Sequence, residues 1–499
     1  MKTVRRFPTA AALACLLALA PPFGARAQQA SEDWPLYLER GHTDRRWDDY
    51  VKKGLDLFTA ARIPESAKQF GKAMSAGCDD GLVLFRLAAC TYITGDYARA
   101  VELLDTAVPL IESRYGGTVY TAQARNLKGI ILADQGKPAE AEKELKAAIR
   151  AAPSLAETHN NLGKFYTAQG RHGEAYLEFE QALQLDPGDA AARLNLGFLY
   201  ESEKKHDEAL AEFDRVLRLH PDEYRACYAK GQTFVRMEFM DEAIAQFRET
   251  VKLKPDFFDG HLGLGYACAA AQQWSESETA LLKAVRLQPK NPKGHYALGR
   301  MYAQKGDNAR AIKALRKAVS LDPLYFDGHL ALGVSYAEGK DYEAALNEFT
   351  KASELDTKSA VALRHRGRAF FYLNQFGEAL KDLNRSLQME KDNPTTLLFL
   401  GYSHWKLKDY DRALKALKRA AAASPANANV HLALGEIYEE QGKSEDAIAE
   451  YSRVVELVPG AADVQYKLGK LYDKAGRKDE AFKALQKAGP YLETLGGTR

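Results

Sequence analysis

Little in this 499-residue chain is cysteine, and what there is lacks metal-site spacing. Five cysteines are too few for a disulfide framework, and Cys78, Cys90, Cys227 and Cys268 include no CxxC pair; whether any two of them bridge stays open. Charge of one sign is also lacking, with 69 Lys and Arg against 67 Asp and Glu. No basic excess is available to neutralise a phosphate backbone, so nucleic acid is not an expected partner. Long hydrophobic runs are missing as well. The longest, from about Thr9 to Ala20, is some 12 residues, whereas a membrane span needs roughly 20. Catalytic signatures fail in the same way. There is no HExxH, no GKS or GKT phosphate loop and no GxSxG, so an enzyme is not expected, and neither a cofactor nor a bound metal is.

That short apolar run belongs to a recognisable leader. Lys2, Arg5 and Arg6 precede it, and a double proline and Ala25-Arg26-Ala27 follow. This is the grammar of a cleaved secretory signal over 1–27, with the cut expected after Ala27 and export to a bacterial-style periplasm or envelope. Without its four basic residues the mature chain carries 65 basic and 67 acidic side chains, a balance of −2. No transmembrane span is expected in that chain.

What is present in abundance is repetition. Glycine stands at 129, 163, 197, 231, 265, 299, 333, 367, 401, 435 and 469, eleven times at intervals of 34. At ordinary glycine frequency such a run has a chance on the order of 10⁻¹³. A small residue follows each glycine by twelve, from Ala141 to Ala481, with Ser277 the one exception to alanine. Aromatics dominate three residues after the glycine, as at Tyr166 and Tyr302. A bulky apolar residue recurs sixteen after, as at Phe179 and Phe213, and proline closes most units, as at Pro187 and Pro323. Glycine inside a helix costs about 1 kcal/mol against alanine. Its recurrence is therefore expected to let two helices approach, with the small residue twelve positions on facing it. Each unit reads as a helix–turn–helix hairpin.

The stretch "AETHNNLGKFYTAQGRHGEAYLEFEQALQLDPGD" (156–189) resembles a tetratricopeptide repeat from end to end. Counting each unit from seven residues before its glycine gives ten contiguous 34-residue repeats over 122–461. A final hairpin and capping tail are expected over 462–499, and two divergent repeats over 47–121. In 47–80 Gly54 and Phe70 keep the frame; in 81–121 Ala88 replaces the glycine and the second helix is expected to gain seven residues. Residues 28–46 form a lead-in. The resemblance implies an all-α, right-handed superhelical solenoid of about thirteen hairpins whose inner face is built from first helices. It implies a non-catalytic scaffold that binds other proteins or peptide segments, with roles in envelope assembly, secretion or polymer export.

In this light "FDGHLGLGY" (258–266) is no phosphate loop, because it lies within a first helix with no strand before it. His159, His261, His295, His329 and His431 share the fourth place of their units. Successive hairpins put them roughly 8–10 Å apart or more, a row rather than a metal cluster. They are expected to stand in for an aromatic residue.

Places 2, 5, 9, 12 and 13 of a unit fall on the expected inner side of the first helix. Two stretches there are candidate binding sites. Asn160, Lys164, Asn195 and Arg225 resemble, with permutation, the carboxylate clamp by which some members of the family hold a peptide C-terminus. Arg364, Arg368, Phe371, Tyr372, Tyr402 and Trp405, followed by Lys406, combine arginine with aromatics in the manner of a protein-binding hot spot. Trp405 would equally suit a sugar ring, so an exported polysaccharide remains the alternative ligand. Homo-oligomerisation is left open.

Overall fold

A computed structural model describes residues 47–489; the expected signal segment, the lead-in and the end of the capping tail lie outside them. Every element among the described residues is a helix. There are 26, paired into thirteen hairpins. They fall into two compact units divided between Pro255 and Asp256.

The N-terminal unit holds six hairpins, from Asp48–Thr59 paired with Ile63–Ser75 to Tyr224–Arg236 paired with Met240–Leu253. In the divergent second hairpin, Tyr97–Tyr115 runs for 19 residues against 14 for most second helices. The C-terminal unit holds seven hairpins, from Phe258–Ala270 with Trp274–Leu287 to Ala462–Lys474 with Lys478–Lys487. Within each unit a helix packs on its hairpin partner and on the first helix of the following hairpin. First helices also touch the first helix of the next hairpin, as Ala156–Ala168 touches Ala190–Ser202 and Ala360–Tyr372 touches Pro394–Lys406. The first helices are thus crowded together on one side of each stack, which makes that side the inner one.

The repeating glycine makes this packing possible, with the small residue facing it as expected and a second residue filling the notch. A Cβ on Gly163 would lie 2.7 Å from the Phe179 ring, on Gly197 2.4 Å from Phe213 and on Gly265 2.4 Å from Leu281. The residue sixteen positions on fills the notch, and the small residue faces it with its backbone: the Ala141 carbonyl would stand 3.2 Å from a Cβ on Gly129. Where the small residue is serine, its hydroxyl donates to the glycine carbonyl, Ser277 to Gly265 and Ser66 to Gly54, both at 2.7 Å. These fillers form the core: Phe70, Phe179, Phe213, Phe247, Phe349 and Tyr451 are almost completely buried.

Helix ends follow local chemistry. Asp189 accepts from the Ala191 amide at 2.8 Å, and Asn393 accepts from Thr396, the usual means of satisfying first-turn N–H groups. Pro153, Pro187 and Pro323 directly follow the caps of their second helices. Inside each hairpin the turn has one residue with left-handed backbone: glycine at 95, 136, 170, 306, 442 and 476, but Ala61, Lys204, Glu238, Gln272, Lys340, Asn374 and Lys408 at the equivalent places.

Neighbouring hairpins are tied by side chains as well. Arg171 donates to Glu142 of the preceding hairpin at 2.7 Å and lies 4.2 Å over the Tyr166 ring. Lys146 at 2.7 Å and Tyr166 at 3.1 Å donate to the same carboxylate, and Arg171, then Lys146 and Tyr166, hold the Glu142 carboxyl down at about 2. In the C-terminal unit Arg310, Glu278 and Tyr302 repeat the arrangement.

Candidate functional site

The histidine column proves to be structural, with partners that differ from those of an aromatic filler. His159, His329 and His431 each turn Nε2 to the carbonyl of the proline six residues earlier, at 3.3, 3.1 and 3.1 Å. Each also turns Nδ1 to the glutamate nineteen residues later: Glu178 at 2.7 Å, Glu348 at 2.6 Å and Glu450 at 2.6 Å. His295 makes only the proline bond, to Pro289; position 314 is alanine. Among the described residues no three His, Cys, Asp or Glu side chains group as metal ligands would, and no helix is long and apolar enough to cross a membrane.

On the inner side of the N-terminal unit, Asn160 and Asn195 come together. Asn195 Nδ2 donates to Asn160 Oδ1 at 2.8 Å, one hairpin to the next. Asn160 is buried, as are Asn126 and Leu194 at the same place of neighbouring units. The fifth place thus lies in the seam between hairpins and not on an open wall. Lys164 is half-buried near Asp134, a carboxylate that also accepts from Tyr92 at 2.7 Å. Burial raises the Asp134 pKa, and Lys164 works against that rise. Arg225 is not gathered with this group by any bond. It is exposed and bonds Glu223, two residues away on its own helix cap, through Nε at 2.8 Å and Nη2 at 2.7 Å. The four residues therefore make an amide pair and two engaged cations.

The C-terminal unit is organised differently. Its inner side carries an aromatic wall that crosses successive hairpins. Tyr342 and Tyr372 are stacked with centroids 4.5 Å apart and planes 11° apart. Phe371 meets Phe399 edge-on at 5.5 Å and stacks with Tyr402 at 5.8 Å; Tyr402 leads on to Trp405 at 6.4 Å. Phe371 therefore fills the seam, while Tyr372 stays 42% exposed at the edge. Trp405 is half-buried. Its indole N–H donates to Glu440 at 2.9 Å, and Lys406 sits 5.3 Å over its ring.

The two arginines of this wall differ. Arg364 donates to Glu390 at 2.6 Å. Arg368 lies 4.9 Å over the Phe399 ring, and its buried Nε–H has no hydrogen-bond acceptor among the described residues. Between them His365 stacks on Phe349 at 5.1 Å. Burial, then the charges of Arg368 and Arg364, push its pKa down to about 4, so it is neutral at pH 7.

A third inner cluster escapes sequence reading. Tyr266 is 41% exposed, Tyr296 and Tyr325 meet edge-on at 5.1 Å, and Arg300 stands 5.9 Å over Tyr296. Burial pushes the Tyr266 hydroxyl up to about 12. The signal was available, since Tyr266 and Arg300 occupy the ninth place of their units as Arg368 and Tyr402 do.

Comparison with known proteins agrees with the repeat geometry. Models described as tetratricopeptide repeat match residues 126–190, 228–292, 365–428 and 432–491, and others of that description match 80–154, 166–231, 280–313 and 404–459. One described as TPR repeat matches 299–339. No curated protein matches the sequence. Among solved structures the chain is similar to the one titled "Crystal structure of APC/C hetero-tetramer Cut9-Hcn1", at 17% identity and a TM-score of 0.43, covering 87% of this chain and 97% of that one. With one family model alone matching half of its length, and with glycine notches filled as the repeat requires, the chain belongs to the tetratricopeptide repeat family.

Proposed function

We propose that the protein is a non-catalytic interaction scaffold of the bacterial periplasm or envelope, which holds segments of partner proteins against the first helices of its C-terminal unit. The observation that carries this reading is the aromatic and arginine wall from Tyr342 to Trp405, because aromatic residues and arginine on a concave face are what protein interfaces draw upon. The envelope location is supported by the basic, apolar and small-residue order of residues 1–27. Work in envelope assembly, secretion or polymer export accords with such a place. The polysaccharide reading leans on Trp405, whose N–H is taken by Glu440 and whose ring is partly covered by Lys406; a protein segment is the better occupant.

The test is a photo-crosslinking amino acid placed at Tyr402 on the inner wall and, as the outer control, at Lys381, 72% exposed on a second helix. In intact cells, protein adducts at 402 and none at 381 are expected, in the periplasmic or envelope fraction. Equal adducts at both positions, or adducts confined to the cytoplasm, contradict the proposal.

A further inference from the structure

The reading of the C-terminal unit as a holding surface can be taken further, because a half-buried cation on that wall has no counter-charge among the described residues. Among the described residues Arg368 forms no hydrogen bond or ion pair, and its partner is the Phe399 ring. The other charges along the wall are engaged, apart from the exposed Lys406, which lies over the Trp405 ring. Arg364 is taken by Glu390, Arg366 by Asp382, Glu436 by Lys467, Glu439 by Tyr451 and Glu440 by Trp405. His365 beside it is held neutral. A guanidinium presents a planar fork of donors suited to a carboxylate. A half-buried one with an unmet N–H has a larger than usual gain to make from such a partner. Next to it, Tyr372 offers an exposed ring edge, and Phe371 and Tyr402 form the apolar floor.

We infer that this wall recognises a partner-protein segment presenting a carboxylate next to a bulky apolar side chain, the carboxylate on Arg368 and the apolar group on Tyr372 and Tyr402. Charge complementarity selects this occupant. A basic segment would face an unscreened cation, and a purely apolar one would leave the guanidinium fork unmet. This assignment rests on the scaffold reading and narrows it to one chemistry at one place.

The experiment uses the full mature chain on an array of ten-residue peptides in which acidic, amide, basic and apolar residues are permuted. Bound peptides are expected to pair an Asp, Glu or free C-terminal carboxylate with an adjacent Phe, Leu or Ile, and to weaken as salt rises. Arg368→Gln is expected to remove the acidic preference and lower affinity for the best peptide by roughly tenfold or more, the scale of one lost charge-assisted bond. Arg368→Lys should keep part of it. Tyr372→Ala, at an exposed position, should relax the apolar preference alone. Selection of basic peptides, no selection at all, or an acidic preference that survives Arg368→Gln with the thermal transition unchanged would each overturn the inference. These outcomes leave the scaffold reading standing so long as protein adducts still form at position 402, and absence of those adducts rejects the scaffold reading itself.

Discussion

Arg193 and His329 stand at the same place of their hairpins, 136 residues apart, and reach the same pair of partners. Arg193 donates to the Pro187 carbonyl at 2.9 Å and to Glu212 at 3.3 Å; His329 bonds the Pro323 carbonyl and Glu348. In each case a side chain on the first helix pins the incoming turn to the second helix of the same hairpin. Arg193→Ala is expected to cost about 1 kcal/mol, the scale of the hydrogen bonds lost, because the buried Glu212 keeps its bond to Arg215. In a stack coupled only to its neighbours the loss should stay local. Hydrogen exchange should quicken over 187–215 and remain unchanged over 47–90. A uniform rise along the chain would contradict a local pin.

The glycine notch predicts a coupled pair. Gly197→Ala would put a Cβ 2.4 Å from Phe213, so overpacking of about 1–3 kcal/mol should outweigh a helix-propensity gain of about 1 kcal/mol. In Phe213→Ala, which empties the notch that Phe and Leu fill equally closely elsewhere, the same substitution should cost less. Additive losses in denaturant titrations of the four chains would show that the two residues do not share the space.

Hairpin turns give a prediction of opposite sign. Lys204 has a φ of 62° and Glu238 one of 65°, a conformation that costs a side-chain-bearing residue roughly 1 kcal/mol or more. Lys204→Gly and Glu238→Gly should each raise the unfolding midpoint, whereas Gly170→Ala, at φ 72°, should lower it.

His365 makes stability depend on acid. Its pKa falls from the ordinary 6.5 to about 4 in the fold, chiefly through burial. The unfolded chain therefore takes up a proton as pH drops through 6.5, while the folded chain does so only near 4. Over that interval the unfolded state binds more protons, so stability falls with acidification and levels off below about 4. The loss amounts to at most about 3 kcal/mol. His365→Phe keeps a ring against Phe349 and removes the titration, so urea midpoints at pH 7 and pH 4.5 should differ less in the variant. An equal difference in both chains would show that other groups carry the acid response.

Much of this architecture could be read from spacing alone. Glycine at intervals of 34, with a small residue twelve later, states both the notch and what faces it. The small residue faces the glycine as the spacing implies, through its carbonyl where it is alanine and its hydroxyl where it is serine, but the spacing does not show that the residue sixteen on fills the notch. The turn pins were legible too, because Arg193, His159, His329 and His431 each have glutamate nineteen residues on, while His261 and His295 have alanine. What spacing could not reveal was which inner cations are spent. Arg364 and Arg368 are four residues apart on one helix, yet Glu390, from the start of another turn, reaches only the first. Likewise nothing in the local sequence shows that Asn160 would turn into a seam to meet Asn195 or that Arg225 would close on Glu223.

Pro292 and Phe326 each open a first helix after a matching turn. Excising 292–325 therefore joins like ends, and so would duplicating it. Reach along the inner wall is consequently a matter of copy number: lineages can lengthen or shorten the grip by whole cassettes, and an engineer can move the Arg368 station relative to the Tyr266 station in fixed steps without redesigning either.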